Sequence, residues 1–114
     1  MHELSLVSSI LDIIEGYAAQ DGFRRVNNLR LSCGRLSGVD LQCLRFAFEV
    51  LSRETLSEGA TLEIDFLPIV ISCLNCGKDT EVEYVEASCP ECGSENVLLA
   101  GGTEELRLLE LDVD

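Results

Sequence analysis

The residues best suited to chemistry in this sequence are four cysteines arranged as two pairs. Cys73 and Cys76 form one C-x2-C pair, twelve residues follow, and Cys89 and Cys92 form the second pair. Two intervening residues allow a tight turn to place both sulfurs about 2.3 Å from one ion, and two such turns complete a tetrahedron. A glycine directly follows each pair, where a turn of this kind commonly requires a positive φ. The spacing therefore predicts a structural Zn(II) site.

Two other uses of paired cysteines fit the sequence less well. Disulfides persist in oxidising compartments, whereas clustered cysteines of a cytosolic protein are typically metal ligands. A thioredoxin-type redox pair opens a helix in a βαβ unit, and here the flanking glycines indicate metal-binding turns instead. Four thiolates also leave no open position for a catalytic water, so the predicted zinc holds a fold. The remaining cysteines, Cys33 and Cys43, are assigned to ordinary packing.

A second group of metal donors lies at the amino terminus, where His2 is the only histidine of the chain. The Met1 α-amine, the amide nitrogen of residue 2 and the imidazole Nδ1 can close adjacent chelate rings, and Glu3 adds a carboxylate or a backbone donor. Nitrogen and oxygen donors in a tetragonal plane are favoured by Ni(II) and Cu(II). The alternatives remain open, because His2 can be an ordinary residue and Glu3 a stabilising acid in the first turn of a helix.

The charge of the chain restricts its partners. With 21 acidic residues against 8 basic ones, the formal net charge is −13. Binding of DNA or RNA depends on Lys and Arg neutralising phosphates, so nucleic acid is not an expected partner. The same field attracts cations and basic protein surfaces.

The hydrophobic pattern indicates a cytoplasmic protein. The longest apolar run is far shorter than the roughly 20 residues that cross a bilayer. Residues 1–20 carry no basic segment, and three acidic residues interrupt their apolar positions, which argues against a signal peptide.

The apolar residues recur with helix or strand periodicity in five segments. Asp40 is a natural N-cap for the second helix, because its carboxylate can accept hydrogen bonds from the first turn. The stretch between the fourth and fifth segments contains the paired cysteines and few large apolar residues, so it has too little apolar surface to fold alone without a metal or another cross-link. The five segments are a helix at 3–20, a strand at 29–33, a helix at 41–51, a strand at 62–66 and a strand at 105–113.

These segments predict an α+β fold of two helices packed on a three-stranded sheet. A zinc-ribbon-like domain with four cysteines is inserted before the last strand, which returns to the first sheet. The predicted domains are 1–68 plus 103–114, and the inserted zinc-binding part at 69–102.

The chain resembles the HypA/HybF family of nickel metallochaperones in hydrogenase maturation. The resemblance runs over essentially all residues and is carried by the opening Met1-His2-Glu3-Leu4-Ser5, the stretches Gly34–Asp40 and Leu44–Glu49, and the two C-x2-C pairs. It implies a metallochaperone that is not an enzyme, with nickel held by His2, the Met1 amine, Glu3 and Asp40, and zinc held by the four cysteines.

The resemblance also implies partners. These are a HypB-type GTPase and the large-subunit precursor of a [NiFe]-hydrogenase, together with monomer–dimer exchange. Some relatives carry a histidine near the second cysteine pair, and this chain has none there. A nickel ligand from the zinc-binding part is therefore expected to be a carboxylate, such as that of Glu91 or Glu95, or to be absent.

Two other functions fit the sequence less well. A zinc-ribbon module that binds protein or nucleic acid has the right cysteine spacing, but the segment is acidic and lacks interleaved aromatic residues. A metalloenzyme built on His2, Glu3 and Asp40 is disfavoured, since one terminal histidine allows neither a Ser/His/Asp constellation nor an H-E-x-x-H pair.

Overall fold

The computed structural model describes residues 3–114. These residues form two helices, six strands and a short 3₁₀ turn at Arg35–Ser37, joined by turns and loops. The elements in chain order are α1 (Glu3–Asp21), β1 (Val26–Gly34), α2 (Leu41–Leu51), β2 (Thr61–Leu67), β3 (Ile69–Cys73), β4 (Asp79–Val82), β5 (Val97–Gly101) and β6 (Leu106–Val113). No helix in this part of the chain has the length and apolar character needed to span a membrane.

The first sheet has the strand order β2-β1-β6. The last strand therefore returns to the first sheet, as the sequence predicts, and the second sheet lies between β2 and β6 along the chain. The predicted α+β class, with two helices, a three-stranded sheet and an inserted four-cysteine part, is confirmed. The structure adds a second three-stranded sheet, of order β4-β3-β5, inside that part.

The chain divides into two compact units. The first contains the described residues up to Ser32 together with Val39–Asp65 and Arg107–Asp114, and the second contains Cys33–Gly38 and Phe66–Leu106.

The core of the first unit comes from the apolar faces of α1, α2 and β1. The two helices pack against each other, and burial of apolar side chains is the main stabilising term. The predicted stripe of α1 is only partly buried, because Ile13 and Tyr17 are about half exposed beside Leu108–Leu111 of β6. The buried residues are Val7, Ile10, Leu11, Ile14, Ala18, Val26, Leu29, Leu31, Leu44, Ala47 and Phe48.

The second helix begins where the Asp40 side chain predicts. Asp40 Oδ1 accepts the backbone N–H groups of Gln42 at 2.9 Å and of Cys43 at 3.1 Å. These bonds satisfy two of the four N–H groups that a helix leaves without intrahelical partners at its start.

The second unit is built on β3, the central strand of its sheet. Both of its neighbours are antiparallel, with Ile71 opposite Thr80 of β4 and opposite Leu99 of β5. Its large buried side chains are few, chiefly Ile69 and Ile71. The strand ends at Cys73, so the sheet leads directly into the first cysteine pair.

Candidate metal centre

The first cysteine pair lies on a tight turn that closes on β3. Gly77 N–H donates to the Cys73 carbonyl at 3.0 Å, and Cys73 N–H donates to the Lys78 carbonyl at 3.0 Å. Gly77 has φ +74°, a backbone angle that residues with a side chain rarely adopt. The N–H groups of Asn75 and Cys76 both point at Cys73 Sγ, at 3.3 and 3.4 Å. This sulfur is thus surrounded by donors that stabilise a thiolate.

The second pair repeats the same backbone arrangement. Cys89 N–H donates to the Ser94 carbonyl at 2.7 Å, and Gly93 N–H donates to the Cys89 carbonyl at 2.8 Å. Gly93 has φ +78°, so both glycines adopt the conformation that their position after the pair predicts.

The four sulfur atoms form one cluster. All lie within 4.8 Å of one another, and within residues 3–114 this is the only group of three or more His, Cys, Asp or Glu side chains arranged to hold a metal. The Sγ atoms of Cys73 and Cys92 are 3.7 Å apart, and those of Cys76 and Cys89 are 3.8 Å apart. Four sulfurs bound tetrahedrally at 2.3 Å from one zinc ion would be separated by about 3.8 Å. The sulfur positions therefore fit a tetrahedral zinc ion.

The distances do not fit disulfides. A disulfide brings two sulfurs to about 2.05 Å, and all six cysteines are free thiols. Cys73 and Cys89 are buried, whereas Cys76 and Cys92 are exposed. A metal held here would thus be bound by two buried and two exposed residues.

The surroundings of the sulfurs shift the pKa values of Cys73 and Cys76 in opposite directions. The backbone N–H of Cys76, opposed by burial and assisted by Asn75, lowers the pKa of Cys73 to about 6. A backbone N–H of Lys78 acts in the same direction on Cys76, but burial and the neighbouring thiols raise the pKa of Cys76 to about 11. The Cys73 thiol therefore ionises more readily than the Cys76 thiol.

Zinc affinity is therefore expected to rise with pH. Zinc binds thiolates, so at pH 7 it must displace the Cys76 proton, and below about pH 6 it must also displace a proton from Cys73. Competition with a chromophoric chelator between pH 5.5 and 8 should give a binding constant that falls on acidification, more steeply below pH 6. A constant independent of pH, after correction for the chelator, would show that these protons do not compete with the metal.

The predicted nickel donors fall partly outside the described residues. Met1 and His2 lie outside them, and Glu3 is the first residue of α1. Cys43 N–H donates to Asp40 Oδ1 at 3.1 Å, and Glu3 lines the same cleft as Cys43. The charge of Asp40, burial and the charge of Glu3 raise the pKa of the Cys43 thiol. The structure thus brings the start of α1 close to the start of α2.

The structure shows that Cys43 is exposed. Cys33 is fully buried, as its place in β1 predicts, but Cys43 is exposed, so the packing interpretation is wrong for it. It lines a cleft of about 600 Å³ between the first turns of α1 and α2, together with Glu3, Leu4 and Phe46. The sequence carries no signal for this position, since Glu3 and Cys43 are brought together only by the packing of the two helices.

Comparisons with known proteins find relatives that are similar over essentially the full length of this chain. The family described as "Hydrogenase/urease nickel incorporation, metallochaperone, hypA" matches residues 1–113. A "Hydrogenase maturation factor HypA" of Syntrophus aciditrophicus is 97% identical over 114 residues, covering all of both chains. The protein of that name in Rhodobacter capsulatus is 44% identical over 113 residues, covering 99% of each chain.

A solved structure of similar fold also covers nearly the whole chain. The solution structure of the Ni metallochaperone HypA from Helicobacter pylori matches with a TM-score of 0.64 and 29% identity, covering 99% of this chain and 97% of that one. The chain belongs to the HypA family of hydrogenase maturation factors, which are metallochaperones and not enzymes.

Proposed function

We propose that this protein binds Ni(II) at its amino terminus and delivers it for the maturation of a [NiFe]-hydrogenase. The proposed ligands are His2, the Met1 amine, Glu3 and Asp40. The observation that carries the proposal is the separation of donor types: the four thiols are gathered in the second unit, while the carboxylates of Glu3 and Asp40 lie at the helix starts of the first.

The donor chemistry explains how one small protein keeps two metals apart. Thiolates are soft ligands that favour zinc, whereas imidazole, amine and carboxylate ligands suit Ni(II). Asp40 is exposed, so nickel held there by a few nitrogen and oxygen atoms is accessible to the ligands of a recipient. Nickel is cargo in this scheme and zinc is resident.

We further assign a structural role to zinc at Cys73, Cys76, Cys89 and Cys92. The ion would join the two turns and supply the stability that few buried apolar residues provide in this part of the chain. In this proposal, 69–102 is the zinc-binding domain and 1–68 plus 103–114 is the nickel-binding domain.

The proposed setting is the cytoplasm, where thiols stay reduced. The proposed partners are a HypB-type GTPase and the hydrogenase large-subunit precursor, with monomer–dimer exchange of the protein itself. The relatives' description as hydrogenase maturation factors supports this direction. The net charge of −13 favours docking on basic protein surfaces.

An amino-terminal extension tests the proposal. A tag converts the Met1 amine into an amide, which is a much poorer metal ligand, and should remove high-affinity nickel binding while leaving zinc content unchanged. Calorimetric titration with Ni(II) would compare protein starting at Met1 with protein carrying a short extension, and a carboxy-terminal extension is the matched control. Equal nickel affinity in the tagged protein would exclude the amine as a ligand.

A further inference from the structure

Asn75 contacts a sulfur of each cysteine pair although it is not itself a cysteine. Its backbone N–H donates to Cys73 Sγ at 3.3 Å within its own turn. Its side-chain Nδ2 reaches Cys92 Sγ, in the other turn, at 3.8 Å. The residue therefore contacts both turns.

The chemistry of the two groups determines the direction of the side-chain contact. A thiolate can only accept a hydrogen bond, and the amide nitrogen of asparagine donates two. The opposite amide orientation would place a carbonyl oxygen against a negatively charged sulfur, so the orientation with Nδ2 toward Cys92 is the favourable one. A donor to an ionised acceptor is stronger than one between neutral groups.

The contact with Asn75 matters because Cys92 is an exposed residue of the cluster. Cys73 and Cys89 are buried, and Cys92 is one of the two exposed cysteines of the cluster. An exposed thiolate is where chelators and electrophiles first meet the centre, and a hydrogen bond that withdraws charge from the sulfur lowers its reactivity. Outer-shell donors of this kind orient metal ligands and raise metal affinity.

We propose that Asn75 is a positioning residue of the four-sulfur centre, which ties the second cysteine pair to the first through Cys92 and slows loss of the metal from that exposed side. The inference rests on the proposed zinc site at the four cysteines.

Variants of Asn75 test the proposal in zinc-loaded, full-length protein. Asn75→Ala removes the donor and should lower zinc affinity about tenfold, the scale on which outer-shell partners act. Asn75→Asp has the same shape but replaces the donor with a negative charge, so its loss of affinity should be larger. Asn96→Ala is the matched control, because Asn96 is exposed in the same unit and bonds Leu74 and Ser94 through its backbone.

Site-resolved alkylation separates hydrogen-bond donation from a purely structural role. With N-ethylmaleimide followed by mass spectrometry, both Asn75 variants should react faster at Cys92 than the native protein, with Asn75→Asp the faster. A uniform increase at all four cysteines, or native affinity and reactivity in both variants, would overturn the proposal.

A measurement on the unmutated protein does not depend on how the variants fold. After replacement of zinc by ¹¹³Cd, the metal should show scalar coupling to the side-chain amide proton of Asn75, and also to the backbone amide protons of Asn75 and Cys76 that bond Cys73. Coupling to the backbone protons without the side-chain proton would overturn the role of Asn75. Absence of a cadmium resonance typical of four sulfur ligands would instead overturn the proposed zinc site.

Discussion

Replacing Cys73 with serine is expected to release the zinc and to unfold the second unit while the first stays folded. A serine hydroxyl does not substitute for a thiolate, so the tetrahedral site loses a ligand. Structural zinc in small peptides contributes about 10–16 kcal/mol at pH 7, which is comparable to the entire stability of a typical domain. The second unit has little else to hold it, since Leu74, Tyr84, Val85, Leu98 and Leu99 are all more than half exposed.

Two measurements check this expectation. Elemental analysis of the Cys73→Ser protein should find less than one zinc per chain. Amide hydrogen exchange should lose protection in β3, β4 and β5 and keep it in α1 and α2. Cys43→Ser is the matched control, because Cys43 is an exposed cysteine outside the cluster. If Cys73→Ser retained one zinc and a protected second sheet, the metal would not be what holds this unit.

Replacing His2 with glutamine is expected to abolish high-affinity nickel binding without changing zinc content or helicity. His2 is the only imidazole of the chain, so no other histidine can replace it. Loss of a direct ligand should cost more than about a hundredfold in affinity, the upper end of what outer-shell changes cost. Equilibrium dialysis against Ni(II) measures this effect directly. Native nickel uptake by His2→Gln would remove the amino terminus from the proposed site.

Asp40 needs a separate test, because it already caps α2. Asn caps helices about as well as Asp, so Asp40→Asn should preserve stability while it weakens nickel binding, whereas Asp40→Ala should also cost about 1 kcal/mol of stability. Thermal unfolding and Ni(II) titration of both variants separate the two roles. A nickel affinity of Asp40→Asn equal to the native value would leave Asp40 as a cap only.

The features that short stretches of sequence determine were predicted well. The second helix was placed at Leu41–Leu51 because one side chain, Asp40, caps it and the apolar residues after it recur at helical spacing. The sulfur cluster was predicted because each cysteine pair is a local turn, whose glycine adopts the required positive φ.

The features that depend on distant residues were missed. β3 and β5 were not predicted, since their short apolar runs become strands only by pairing with each other and with β4. By their spacing, Ile13 and Tyr17 belong to the apolar stripe of α1. They stay about half exposed because the core buries only other residues of that stripe. Asn75 carried no signal, because its role arises from the approach of the second turn, seventeen residues away at Cys92.

X-ray absorption spectroscopy of protein loaded with both metals tests the separation of zinc and nickel ligands, because it reads the ligands of each element separately. We expect a zinc spectrum with four sulfur ligands at about 2.3 Å and a nickel spectrum with nitrogen and oxygen ligands alone. A sulfur shell around nickel, or nitrogen and oxygen ligands around zinc, would contradict the separation of the two metals.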